Sequence, residues 1–175
     1  MTNVLALPPY VEIGDTKKES LIQALDDSGI QVNSIGLELF NDPRFTVSPV
    51  RERVSIVCLT VAELGLPEGG VYGQVVGAGG VLRLFECPLE LGPHLRLAFK
   101  EQSEGSVGFP SSQNAAPPGA VTVASAPLDD AESTPKGFYL RCINGSLWLR
   151  GYRSWDGHIW NPNDAFVFAR AACAA

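Results

Sequence analysis

The sequence predicts an α+β fold, with N-terminal helices packed on a mixed or antiparallel sheet that ends in a tryptophan-rich β-meander. Three observations carry that prediction. Residues 15–29, DTKKESLIQALDDSG, space their apolar side chains as a helix does. Residues 54–59, VSIVCL, are rich in β-branched and apolar residues, as a buried strand is. Residues 137–151, GFYLRCINGSLWLRG, are two alternating runs joined by Asn-Gly.

In the first helix Leu21, Ile22 and Leu25 form the apolar stripe, Thr16 and Glu19 have capping-box spacing, and Gly29 ends it. NSIGLELFNDP predicts a shorter helix with Ile35, Leu39 and Phe40 on one side, stopped by Pro43. After the strand at 54–59, Thr60 and Glu63 repeat the capping-box spacing and predict a helical turn before Gly65-Leu66-Pro67. VYGQVVGAGG fits neither period, because its glycines weaken helix and strand alike. VLRLFECP and HLRLAFKEQ read as strands, the second because Leu95, Leu97 and Phe99 alternate with Arg96, Ala98 and Lys100; PLELGP between them predicts a wide hairpin. Residues 102–135 are rich in Ser, Gly, Pro and Ala and show no period beyond a weak VTV, so they predict a mobile loop or insertion within a single domain spanning 1–175.

Asn144-Gly145 fixes the register of the C-terminal hairpin. Ile143 then faces Ser146, Cys142 faces Leu147, Arg141 faces Trp148, Leu140 faces Leu149 and Tyr139 faces Arg150. Phe138, Leu140, Cys142, Leu147 and Leu149 fall on a core face, and Tyr139, Arg141, Trp148 and Arg150 on the other, each arginine opposite an aromatic ring. A second turn at Asp156-Gly157 pairs Trp155 with His158 and brings Trp160 near Arg153, so residues 137–170 predict a meander closed by AFVFAR.

Composition bounds the function. A hydrophobic fraction of 45% with 18% charged residues is that of a folded globular chain. The start, MTNVLALPPY, lacks a basic n-region and its apolar stretch stops at Pro8, so neither a signal peptide nor a membrane span is expected, and the expected location is the cytoplasm. Cys58, Cys87, Cys142 and Cys173 are far apart and read as free thiols, and without export the Asn144-Gly145-Ser146 sequon carries nothing. The net charge of −6 argues against nucleic acid as a partner, although residues 137–175 carry four arginines against two aspartates and leave −8 for the rest.

ECPLELGPHLRLAF and SLWLRG…WNPNDAFVFAR together resemble a group of uncharacterised bacterial proteins. That group shares a Cys-Pro-x-Glu-x-Gly-Pro-x-Leu-Arg-Leu core and a Trp-Leu…Trp…Phe-Val-Phe ending. The resemblance covers about residues 20–100 and 137–170 and implies relatedness without an activity.

Two candidate sites follow. Cys87, His94 and Glu90 are the one compact group with a nucleophile, a base and an orienting carboxylate; the plainer reading makes Cys87 a core residue and His94 the start of a strand. Arg96 and Glu90 are expected to form an ion pair across the wide turn, the alternative being that they read a carboxylate ligand. Metal binding would require Cys87, Cys142, His94 and His158 to converge without any short paired spacing, and the glycines at 73, 77, 79 and 80 spell no nucleotide-binding motif, so no metal or cofactor is expected.

The second site is the face bearing Tyr139, Arg141, Trp148, Arg150, Trp155, His158 and Trp160, residue types enriched at binding hot spots. The alternative is that the N-terminal helix covers it and makes it core. The expected function is a small acidic protein-binding module, with an inhibitor or immunity-like role as its most concrete form. The competing readings are a small-molecule site or Cys/His-dependent enzyme using Cys87 and His94 with 102–135 as a lid, and carbohydrate binding by the exposed tryptophans.

Overall fold

The computed structural model describes residues 6–105 and 116–171. In chain order the elements are β1 (Tyr10–Ile13), α1 (Lys18–Asp27), β2 (Gln31–Val32), α2 (Ser34–Asn41), β3 (Glu52–Thr60), β4 (Gly70–Val71) and α3 (Tyr72–Val81). They continue with β5 (Leu84–Phe85), α4 (Leu91–Ala98), β6 (Val121–Val123), β7 (Gly137–Ile143), β8 (Ser146–Tyr152), β9 (Ile159–Trp160) and β10 (Ala165–Arg170). The fold is α+β. One mixed sheet runs β1-β3-β10-β6-β7-β8-β2, and β4 pairs with β9 as a separate ribbon.

β10 sits inside this sheet, antiparallel to β3 and parallel to β6, while β5 pairs with its last two residues. A strand buried on both faces reads as an unbroken apolar run, as AFVFA does before Arg170 emerges at the end of β10. Val167 joins a core with Leu21 and Leu25 of α1, Leu39 and Phe40 of α2, and Leu91 and Leu95 of α4. Phe166 and Phe168 join a second core with Val75 of α3, Val61 and Trp160. Three helices therefore cover one face of the sheet, and α3 covers part of the other.

The two capping-box patterns part ways. Thr60 and Glu63 do form the reciprocal pair: the Thr60 N–H donates to the Glu63 carboxylate at 2.8 Å and the Glu63 N–H to the Thr60 hydroxyl at 3.2 Å. At α1 the N-cap is Lys17 and its side chain makes no capping bond, so Thr16 and Glu19 do not act as a box. α2 is capped by Asn33, whose Oδ1 accepts from Gly36 N–H at 2.9 Å, and it stops before Pro43 as expected.

Three expectations are corrected. HLRLAFKEQ is not a strand but forms most of α4, so no wide hairpin follows PLELGP. Leu91, Leu95 and Phe99 recur every four residues and all are buried, and Pro93 lies in the first turn, where its missing N–H would have no helical partner. The stretch 102–135 is no simple loop, because VTV is β6, fully buried between β10 and β7. Residues 106–115 of it lie outside the described residues, as does Cys173.

The third correction concerns the meander. β7 and β8 form the hairpin in the expected register from Gly137↔Tyr152 to Ile143↔Ser146, with positive φ at Asn144 and Gly145. The Asp156-Gly157 turn also closes, His158 N–H donating to the Trp155 carbonyl at 2.9 Å. Beyond it, β9 pairs with β4 instead of β8, and β10 crosses to the sheet interior. The β8 edge is taken by β2, which runs parallel to it.

Candidate functional site

The face of the sheet opposite α1, α2 and α4 carries the candidate site. Period-two alternation places Thr122 of β6, Tyr139 and Arg141 of β7, and Trp148, Arg150 and Tyr152 of β8 on it. Rings in contact run across this face: Tyr139 meets Tyr152 at 6.3 Å between centroids, Tyr152 meets Trp160 at 5.7 Å, and Trp160 meets Phe166 at 4.8 Å. All three contacts are edge-on, the arrangement favoured by the ring quadrupole. His158 packs edge-on against Trp160 from outside, at 4.9 Å.

A cleft of about 160 Å³ opens among Tyr139, Tyr152, Thr122, His158, Trp160 and Arg153. A smaller one of about 60 Å³ lies among Tyr72, Ser125, Lys136, Tyr152, Trp155 and Asp156. Tyr152 and Ser154 line both, so the two clefts adjoin, and together they are called the groove. Its walls are tied down by polar contacts. Asp164 accepts the Asn161 N–H at 2.8 Å and the Ala116 N–H, joining the turn before β10 to the segment before β6. Lys136 Nζ donates to the carbonyls of Asp129 and Ala131, and Arg153 donates to the Ser133 carbonyl while pairing with Glu38 of α2.

The seven residues expected to bind divide into three groups. Tyr139, His158 and Trp160 line the larger cleft, and Trp155 lines the smaller. Arg150 adjoins the groove through its Nε, which donates to Tyr139 Oη at 2.8 Å, and its guanidinium lies 5.0 Å from the Trp148 ring centre and 6.0 Å from that of Tyr139. Arg141 and Trp148 lie further along the same face. The expected pairing of each arginine with its opposite ring holds for Arg150, whereas among the described residues Arg141 makes no such contact.

Tyr152, Thr122, Ser154 and Lys136 were absent from the expected site. Tyr152 was within reach of the sequence, since extending the hairpin register two residues beyond Arg150 puts it on the same face. Thr122 was not, because three residues give no period.

The tryptophans are neither uniformly exposed nor uniformly core. Trp155 is 56% exposed, its ring lying over Gly157 where an added Cβ would sit 2.0 Å away, whereas Trp160 is 5% exposed. Trp155→Phe is therefore expected to remove the red-edge, acrylamide-quenchable part of the emission, and Trp160→Phe to remove a blue, protected part. Equal quenching of all three tryptophans would contradict this placement.

Of the second candidate, Glu90 and His94 come together and Cys87 does not join them. Glu90 is buried and accepts the N–H groups of Gly14 at 3.1 Å and Ser48 at 2.9 Å, with His94 Nε2 3.5 Å away; it ties two loops to α4. The Cys87 thiol points to the Val167 carbonyl at 3.6 Å in the core, and burial pushes it up to about 12. That leaves almost no thiolate near neutral pH. Arg96 does not pair with Glu90. It is fully buried and donates to the Gln102 side-chain oxygen and the Phe99 carbonyl. No group of three or more metal-ligating side chains gathers among the described residues.

Burial holds both histidines below their ordinary 6.5, His94 against the pull of Glu90 and His158 against that of Asp164. Between the folded values and 6.5 the unfolded chain takes up protons that the folded chain refuses. The stability these groups leave intact above 6.5 is thus lost as pH falls through that window. The urea midpoint is expected to drop from pH 7.5 to 6.0, and His94→Gln with His158→Gln to reduce the drop. An undiminished drop in the double variant would assign it to other groups.

No family model, curated protein or solved structure matches the chain. Among the described residues no helix is long and apolar enough to cross a membrane.

Proposed function

We propose that this chain is a protein-binding module whose groove over the aromatic sheet face seats an extended segment of a partner protein. The observation that carries the reading is the junction of the two clefts at Tyr152 and Ser154, with buried Trp160 at one end and exposed Trp155 at the other. Volumes of about 160 and 60 Å³ suit single side chains, since pockets for whole cofactors or drug-sized ligands run to roughly 300–1,000 Å³. Two such clefts in line fit side chains of an extended peptide, in which residues on one side recur every second position. The three described cysteines are free, which suits action in a reducing compartment such as the cytoplasm.

A random-peptide display library panned on the protein, with Trp155→Ala as counter-selection, tests the proposal. Trp155 is exposed, so its replacement should leave the melting temperature unchanged. Enriched peptides are expected to bind the wild-type chain roughly tenfold more tightly than Trp155→Ala. Peptides that bind both equally, or no enrichment, would overturn it.

A further inference from the structure

Arg141 and Arg150 lie on neighbouring strands of the same face, on the diagonal of the tile formed by the pairs Tyr139↔Arg150 and Arg141↔Trp148. Two like charges so placed repel one another. Among the described residues neither forms an ion pair with a carboxylate, although the chain has 19 acidic residues and Arg44, Arg51, Arg53 and Arg153 all do. Residues 106–115 contain no Asp or Glu that could supply one. Both side chains are half-buried, and Arg141 Nε is buried without a hydrogen-bond partner among the described residues. An Nε closed to solvent is closed to a ligand as well, so it adds to the cost of holding the charge there, and the half-buried guanidinium meets an outside acceptor through its terminal N–H groups.

Arg150 is held in place, its Nε on Tyr139 Oη and its plane beside Trp148. Tyr139 also lines the larger cleft, so the arginine pair lies beside that cleft on the same sheet face. A guanidinium fixed by a ring and a hydroxyl keeps its remaining N–H groups free for a bidentate acceptor. The net charge of −6 repels polyanions at long range, while two local cations still attract a single carboxylate at close range.

We infer that Arg141 and Arg150 form a carboxylate subsite, so that the segment seated in the groove carries an Asp or Glu side chain beside the residues that fill the clefts. This inference rests on the peptide-binding reading above and specifies its ligand.

The test uses the full chain and four arrayed pools of seven-residue peptides, with the central position fixed as Glu, Gln, Lys or phosphoserine and the other six positions randomised. The wild-type protein is expected to bind the Glu pool about tenfold more than the Gln pool, and the Lys pool least. Arg141→Gln and Arg150→Gln should each bring the ratio of Glu-pool to Gln-pool binding, measured within the same variant, close to one. Arg141→Lys, which retains the charge without the fork, should keep part of the preference for Glu. Rising sodium chloride should shrink the Glu advantage and leave Gln binding unchanged. Equal binding of the Glu and Gln pools, a Glu preference that survives both Gln variants, or strongest binding of the phosphoserine pool would overturn the carboxylate subsite while leaving peptide binding intact. If no pool binds wild type better than Trp155→Ala, the peptide-binding reading itself fails, and the subsite with it.

Discussion

Gly151→Ala is expected to lower the stability of this protein by about 3 kcal/mol, more than any change at the rim of the groove. A Cβ at position 151 would stand 2.6 Å from Gly36 N and 2.7 and 2.8 Å from the carbonyl carbon and oxygen of Ile35. These are backbone atoms of α2, so no side chain can swing aside. The same spot is bracketed by Asn33, whose side chain accepts the Gly151 N–H at 2.8 Å and donates to its carbonyl at 3.0 Å. Relief of the clash would pull α2 off β8 and strain the bridge that replaces ladder bonds there. The melting temperature should fall by roughly 6–12 °C. Because β8 presents Trp148, Arg150 and Tyr152, the variant should also lose binding in the groove. A loss of stability below about 0.5 kcal/mol would mean that α2 does not dock as closely as described.

Arg96→Ala and Arg96→Met are expected to differ sharply. The guanidinium is fully buried without a carboxylate partner among the described residues, and desolvation pulls it down to about 10, still charged at neutral pH. It is kept there by the Gln102 oxygen, the Phe99 carbonyl and the Phe99 ring at 5.5 Å, and Gln102 in turn donates to the carbonyls of Gly119 and Leu140. Alanine would leave a void and strand those acceptors, at a cost of about 4 kcal/mol. Methionine strands the same acceptors but fills much of the space and removes the buried charge, so its cost should be about 2 kcal/mol, roughly half that of alanine. Equal losses for the two variants in urea denaturation would show that the charge itself holds the loop at 99–102, and would contradict this accounting.

The hairpin was the most legible part of the molecule, because a two-residue Asn-Gly turn leaves one register and the register assigns every side chain to a face. Its binding residues were legible for the same reason. α4 was misread because Leu95, Leu97 and Phe99 satisfy a period of two while Leu91, Leu95 and Phe99 satisfy a period of four, and only packing decides between them. What decides is a pair of close fits: Gly92 stands against Phe138, and Arg96 reaches Gln102.

α3 hid behind four glycines. Of these, Gly79 lies against the Phe168 ring, where an added Cβ would come within 3.0 Å, while the other three face open space. β6 and the course of β9 and β10 were illegible for a different reason. A three-residue strand has no measurable period, and its place between β10 and β7 is set by partners such as Tyr139 and Ala165 far later in the chain. The larger cleft needs that placement, since Thr122 and the segment before it form one wall.

The most direct measurement is an NMR titration of the three indole N–H resonances, assigned with Trp148→Phe, Trp155→Phe and Trp160→Phe, against a peptide enriched by panning. Binding in the groove requires the Trp155 and Trp160 signals to shift together, saturating at one affinity, with Trp148 following when the peptide carries a Glu. Saturable binding that leaves all three indole signals unmoved would contradict the assignment of this face as the binding site.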